Sequence, residues 1–121
     1  MSDLFIVDDD KILLFALKQW FTRKGYTVTT FINSKELLNR LQTHKPDFIL
    51  LDVYLTGEHG GELCKYLKKE QHLDCIIYLF SAGVLTYGQF AHYCADGFVL
   101  KHKGFDYLTR IIDSYIPAIC G

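Results

Sequence analysis

The feature that most constrains this chain is an alternation repeated five times: a short apolar run, a polar residue that ends it, then an amphipathic segment. The first run, Leu4-Phe5-Ile6-Val7, is stopped by three aspartates. Residues 11–24 carry apolar side chains at Leu13, Ala16, Leu17, Trp20 and Phe21, the spacing of one helical face, and Gly25 is placed to end that helix. Residues 26–31 are rich in β-branched and aromatic side chains, which predicts a second strand. Asn33 or Ser34 can cap a second helix, with Glu36 in its first turn and Leu37, Leu38 and Leu41 as its buried stripe. Pro46 interrupts the chain, and Asp47 to Asp52 reads as a strand buried on both faces. Helices are expected over about 61–70, 85–94 and 105–116, the last stopped by Pro117, with strands at 75–80 and 97–101.

Near-continuous apolar strands separated by helices call for a parallel sheet covered on both faces. Right-handed crossovers leave few arrangements of five such strands. A length of 121 residues suits one domain, 1–121, of α/β class: a flavodoxin-like (βα)5 doubly wound parallel sheet in strand order 2-1-3-4-5. Ligands of such sheets sit beyond the carboxyl ends of the strands, where the strand order reverses. There the sequence puts Asp8 and Asp9 after strand one, Asp52 after strand three, Ser81 after strand four and Lys101 after strand five.

Composition excludes some functions. Half of the residues are hydrophobic, enough for a packed core. The formal net charge is −1, from 13 basic and 14 acidic residues, which argues against direct contact with nucleic acid. No apolar run approaches the roughly 20 residues needed to cross a bilayer, and the first residues lack the pattern of a signal peptide, so no membrane attachment is expected. Cys64, Cys75, Cys94 and Cys120 form no C-x-x-C pair and read as free thiols in a reducing cytoplasm. His44, His59, His72, His92 and His102 show no metal-ligand spacing and read as surface residues.

Three carboxylates converging on one sheet edge repel each other, and such a cluster takes up protons or a cation. Mg2+ suits a few carboxylates, several waters and a phosphate. Lys101 can pair with a carboxylate and then with a phosphoryl oxygen, and the Ser81 hydroxyl can serve another such oxygen. With Asp52 as nucleophile, forming an acyl phosphate, these are the parts of a phosphoryl-transfer site. Each residue also has a plainer use. Asp8-Asp9-Asp10 can be a solvated turn or a helix cap, Ser81 a loop hydroxyl, Lys101 a surface charge and Asp52 a cap. The signal is their joint arrival at the ends of the right strands.

Phe5-Ile-Val-Asp-Asp9, Pro46-Asp-Phe-Ile-Leu-Leu-Asp52, Gly60, Leu79-Phe-Ser-Ala82 and Gly97-Phe-Val-Leu-Lys101 occur in that order. Through them the chain, from Phe5 to about Ile116, resembles a response regulator receiver domain of two-component signalling, of the chemotaxis-regulator type. The resemblance implies that Asp8 and Asp9 hold Mg2+, with Asp9 the more direct ligand, and that Asp52 is the phosphoacceptor and a further ligand. It implies that the backbone carbonyl of Tyr54 completes the metal site, and that Ser81 and Lys101 bind phosphoryl oxygens. Ser81 and Phe98 would be the switch pair, acting on the face made by the fourth helix, fifth strand and fifth helix. The implied partners are a sensor histidine kinase or phosphotransfer protein, an output domain or partner protein on that face, and a second copy as a homodimer. A signalling module is implied, not an enzyme with a separate substrate.

Several positions depart from the family pattern. Thr56 stands where proline is usual, which predicts a less rigid loop from Tyr54 to Gly61. His102 follows Lys101 in place of proline, so the Lys101–His102 bond is expected either trans or strained. Phe98 stands where tyrosine is frequent. Tyr54 and Gly83 occupy the positions that tune phosphate lifetime in the family, and the Tyr54 ring either covers the acyl phosphate or points away. Tyr87, Phe90, Tyr93 and Phe98 lie on the output face, either as an exposed aromatic cluster or as half-buried core.

Three other readings compete. A degenerate receiver would act as a phosphorylation-independent interaction module. A haloacid-dehalogenase-like phosphatase would need an acid at Tyr54 and its acidic box after the first strand. A flavin-binding domain would need a Ser/Thr/Gly-rich loop where this chain has Asp8-Asp9-Asp10.

Overall fold

The computed structural model describes residues 2–83 and 87–117, with the side chains of Tyr87 and Phe90 outside the description. The elements run β1 (Asp3–Val7), α1 (Lys11–Arg23), β2 (Thr27–Phe31), α2 (Ser34–Leu41), β3 (Phe48–Asp52), β4 (Tyr54–Leu55), β5 (Glu58–His59), α3 (Gly60–Lys69), β6 (Ile76–Ser81), α4 (Tyr87–His92), β7 (Gly97–Leu100), a 3-10 turn (Lys101–Lys103) and α5 (Phe105–Tyr115). Five strands form one parallel sheet in the order β2-β1-β3-β6-β7. With β6 and β7 as the fourth and fifth strands of that sheet, this is the expected doubly wound order.

Side chains alternate across each strand and feed two cores. Phe5, Val7, Ile49, Leu51, Ile77 and Leu79 face one layer, where they meet Leu37 of α2, Cys64 and Leu67 of α3, and Tyr93. Leu4, Ile6, Phe48, Leu50 and Phe80 face the other, against Leu14, Leu17 and Phe21 of α1 and Leu108 and Ile112 of α5. Every residue of β3 is buried, as expected of a central strand covered on both sides.

Local chemistry sets the helix ends. Asp10 caps α1, its carboxylate accepting from the N–H groups of Ile12 and Leu13, both at 3.1 Å. Asn33 caps α2 by accepting from the N–H of Glu36 at 2.9 Å. Past the end of α1, Gly25 takes a φ of 101°, the left-handed backbone that favours glycine after a helix. The helix expected over 85–94 is described over Tyr87–His92 and ends two residues early, while its expected start falls in residues 84–86, outside the description.

The segment after β3 forms a hairpin, in which Tyr54 pairs with His59 and Leu55 with Glu58. Gly57, with φ 77°, supplies the left-handed turn residue.

Tyr93 is buried and Phe98 is half-buried against the core. These two aromatics therefore belong to the interior rather than to an exposed cluster, while the side chains of Tyr87 and Phe90 lie outside the description. Among the described residues no helix is long and apolar enough to cross a membrane.

Candidate functional site

Sheet register alone carries the predicted residues to one edge. Val7 is level with Leu51, Asp52 with Phe80, and Ser81 with Leu100. The next residues out, Asp8, Asp52, Ser81 and Lys101, therefore step across the carboxyl ends of four adjacent strands. Asp8, Asp52 and Ser81 are buried, and Asp9 is half-buried. One carboxylate oxygen from each of Asp8, Asp9 and Asp52 lies within 4.8 Å of the others.

The three consecutive aspartates divide their roles. Asp10 is the helix cap and Asp8 is turned fully inward. Asp8 Oδ1 accepts from the N–H of Asp10 at 2.9 Å. Asp8 Oδ2 accepts no well-aligned hydrogen bond from a described residue. It lies 2.8 Å from the Lys101 ammonium, as an ion pair. The single Lys101 charge faces two buried carboxylates with Asp9 beside them, and a hard cation would balance the excess negative charge. The donor set of three carboxylates fits a divalent ion with oxygen ligands.

Lys101 Nζ also lies 3.3 Å from Asp52 Oδ1. Burial first, then the charge of Asp8, pushes the Asp52 carboxyl up to about 6, with Lys101 pulling in the opposite direction. Burial acts against charge on Lys101, yet its contact with Asp8 and the charge of Asp52 hold its pKa above the ordinary lysine value. The Thr56 hydroxyl, hydrogen-bonded to Asp9, holds that carboxyl below the usual range despite some desolvation.

The Ser81 hydroxyl donates to the Gly83 carbonyl, and its oxygen accepts from the Gly83 N–H at 3.2 Å. It is thus closed on its own loop and would have to rotate to reach a ligand. The N–H of Tyr54 points to Asp52 Oδ1 at 3.4 Å, while its ring is 63% exposed and packs edge-on against His59. The Tyr54 ring therefore lies against His59 rather than over the Asp52 carboxylate. The Lys101–His102 bond is trans, there being no cis peptide among the described residues.

Three residues join the site that sequence reasoning did not assign to it. Thr56 donates both its N–H (2.8 Å) and its hydroxyl (2.5 Å) to Asp9 Oδ2. His59 is not merely a surface residue: its Nδ1 accepts from the N–H groups of Gly61 (3.1 Å) and Glu62 (3.4 Å), capping α3. Its Nε2 lies 3.3 Å from the Tyr93 hydroxyl. Gly60 packs on the Asp52 backbone so closely that a Cβ there would stand 1.8 Å from the Asp52 carbonyl oxygen. The Gly60-Gly61 pair ahead of a helical pattern was the available signal for Gly60. Nothing local announced the other two.

A separate groove opens at the opposite, amino edge of β3 and β6, lined by Lys45, Asp47, Lys68, Asp74 and Asp96 among others. There Lys68 is bound to the Cys75 carbonyl (2.7 Å) and to Asp96 (2.8 Å), which also accepts from the Ile77 N–H. These groups join strands to a helix and a loop.

A doubly wound sheet with an acidic trio, two of its members buried, and a lysine at its carboxyl edge defines a phosphoacceptor-type signalling module rather than a nucleotide-binding domain. The chain belongs to the response regulator receiver domain family, whose model matches residues 4–113, and is a receiver domain of the two-component kind. It is 34% identical over 119 residues to the transcriptional regulatory protein AfsQ1 of Streptomyces coelicolor, covering 98% of this chain and 51% of that protein. It is 36% identical over 76 residues to the alkaline phosphatase synthesis transcriptional regulatory protein PhoP of Bacillus subtilis, covering 63% of this chain and 32% of that one. The chain thus spans half the length of the first relative and a third of the second. Among solved structures it is similar to the response regulator TrrA of Thermotoga maritima in complex with Mg(2+)-BeF. The TM-score is 0.84 and the identity 26%, covering 96% of this chain and all of that one.

Proposed function

We propose that this domain accepts a phosphoryl group on Asp52 in a Mg2+-dependent reaction and relays the change through α4, β7 and α5. The observation that carries this reading is the Lys101 ammonium between two buried carboxylates, 2.8 Å from Asp8 and 3.3 Å from Asp52. The donor would be a phosphohistidine of a sensor histidine kinase or phosphotransfer protein. An Asp52 oxygen attacks phosphorus, the bond from phosphorus to the imidazole nitrogen breaks, and the imidazole leaves with the electron pair and takes a proton from water. The product is an acyl phosphate on Asp52.

Asp8, Asp9, Asp52 and the Tyr54 carbonyl would hold the cation. A magnesium ion there would supply positive charge beside the transferring oxygens. This agrees with the convergence of the three carboxylates and with the magnesium in the TrrA complex. Lys101 would exchange Asp8 for a phosphoryl oxygen. Ser81 would turn from Gly83 to another, and Phe98 would follow inward. Phosphorylation adds about −1.5 to −2 charges at one edge of the core, enough to bias such a rearrangement. The output partner would be a domain or protein on the α4–β7–α5 face, or a second copy of this chain there. A cytoplasmic setting agrees with the buried, free Cys64 and Cys75.

Incubation with acetyl phosphate and Mg2+, followed by intact mass measurement, tests this. The expected result is an added phosphoryl mass that requires Mg2+ and vanishes in Asp52→Asn. Absence of both that adduct and beryllofluoride binding, in folded protein, would sink the proposal in favour of a phosphorylation-independent interaction module.

A further inference from the structure

Thr56 occupies the turn of the β4–β5 hairpin and places both of its donors on a single oxygen, Asp9 Oδ2, at 2.8 and 2.5 Å. Neither reaches Oδ1. The turn that presents these donors is braced without help from Asp9. The Glu58 carboxylate accepts from the N–H of Ser34 at 2.8 Å and from its hydroxyl, tying the hairpin to the start of α2. The Val53 carbonyl accepts from the N–H of Gly60 at 2.6 Å, and His59 is fixed as the cap of α3. Asp9, by contrast, is the only half-buried member of an acidic trio whose other two members are buried. Left alone it would sample several rotamers, and ordering it would weaken any ligand it binds. A proline at position 56 would supply neither donor, since it has no N–H and no hydroxyl.

We propose that Thr56 is a positioning residue for the divalent cation: by anchoring Asp9 Oδ2 it holds that carboxylate in place beside Asp8 and Asp52, ready to ligate. Outer hydrogen bonds of this kind orient metal-ligating carboxylates. This inference rests on the metal reading of the acidic edge.

Magnesium binding by the unphosphorylated protein, measured by isothermal titration calorimetry, tests it without any phosphoryl transfer. Thr56→Val keeps the backbone donor and loses the hydroxyl, and is expected to weaken Mg2+ binding about tenfold. Thr56→Ser keeps both donors and should stay within about twofold of the parent, since it preserves the same outer bonds. Metal-free melting temperatures of the two variants should match. Equal or tighter binding by Thr56→Val would overturn the proposal, because the bonds would then be idle or in competition with the cation. Loss of affinity in Thr56→Ser as large as in Thr56→Val would overturn it too, since the hydroxyl would not be the agent. Asp8→Asn separates the two levels: if it leaves Mg2+ binding unchanged, the cation is held elsewhere and the metal reading itself fails along with the role of Thr56.

Discussion

Lys101 Nζ stands closer to Asp8 Oδ2 than to Asp52 Oδ1, 2.8 against 3.3 Å, although Asp52 is the proposed phosphoacceptor. The lysine is therefore first of all the counter-ion of a fully buried carboxylate. Replacing it by methionine keeps the length and removes the charge, leaving two buried carboxylates to face each other. Lys101→Met is expected to destabilise the protein by about 1–3 kcal/mol at pH 7.5, less than for a fully enclosed pair because the lysine keeps some contact with water. Urea unfolding in the presence of a chelator measures this. Added Mg2+ should restore part of the loss by binding the folded state.

The Asp52 carboxyl is raised to about 6 by burial and by Asp8. A carboxyl raised on folding contributes stability that is fully present below its unfolded pKa, near 4, and is lost as pH climbs through about 6. Asp52→Asn removes that loss. The variant should match the parent near pH 4 and exceed it at pH 7.5 by about 1–3 kcal/mol, without metal. Unfolding midpoints across this range decide it, and a gain that is independent of pH would contradict the assignment.

Gly60 leaves no space for a side chain, since a Cβ would meet the Asp52 carbonyl oxygen at 1.8 Å and that backbone cannot yield cheaply. Gly60→Ala should cost at least about 1–3 kcal/mol, the usual range for overpacking. It should also shift the Asp52 backbone, lowering Mg2+ affinity. Thermal melts together with metal titration would register both effects.

Because the Tyr54 ring packs on His59 and is mostly exposed, it should do little to shield an acyl phosphate. Tyr54→Ala is expected to leave the lifetime of phosphorylated Asp52 within about twofold, under half a kcal/mol of barrier. A decay time course followed by intact mass would show it.

Burial pushes the thiols of Cys64 and Cys75 up to about 12. Both should resist iodoacetamide at pH 8 in the native protein and react on unfolding, whereas Cys94, only half-buried, should label before either of them. Peptide mapping of the labelled sites distinguishes the three.

The elements and their order were legible because hydrophobic period and strand-ending polar residues are local properties. Leu4 to Val7 and Phe48 to Leu51 announce buried strands, and the residue after each run falls at the sheet edge whatever its partners. That is why Asp8, Asp52, Ser81 and Lys101 could be named from their positions alone. Finer choices were not local. On α1 the apolar pattern included Leu13 and omitted Leu14, yet Leu14 is buried, while Ile12 and Phe15 are exposed. Only the packing of β1 and α5 decides which stripe turns inward.

The sequence by itself thus determined the parallel sheet and the set of residues at its carboxyl edge, since period and punctuation act within a few residues. Only the tertiary structure decided that Asp8 is buried against Lys101. It also decided that Thr56 grips Asp9 across 47 positions of chain, and that Gly60 closes on the Asp52 carbonyl. Those are contacts between segments brought together by the sheet, and hydrogen bonds and steric fit exist only once distant backbones have been placed within a few ångströms of each other.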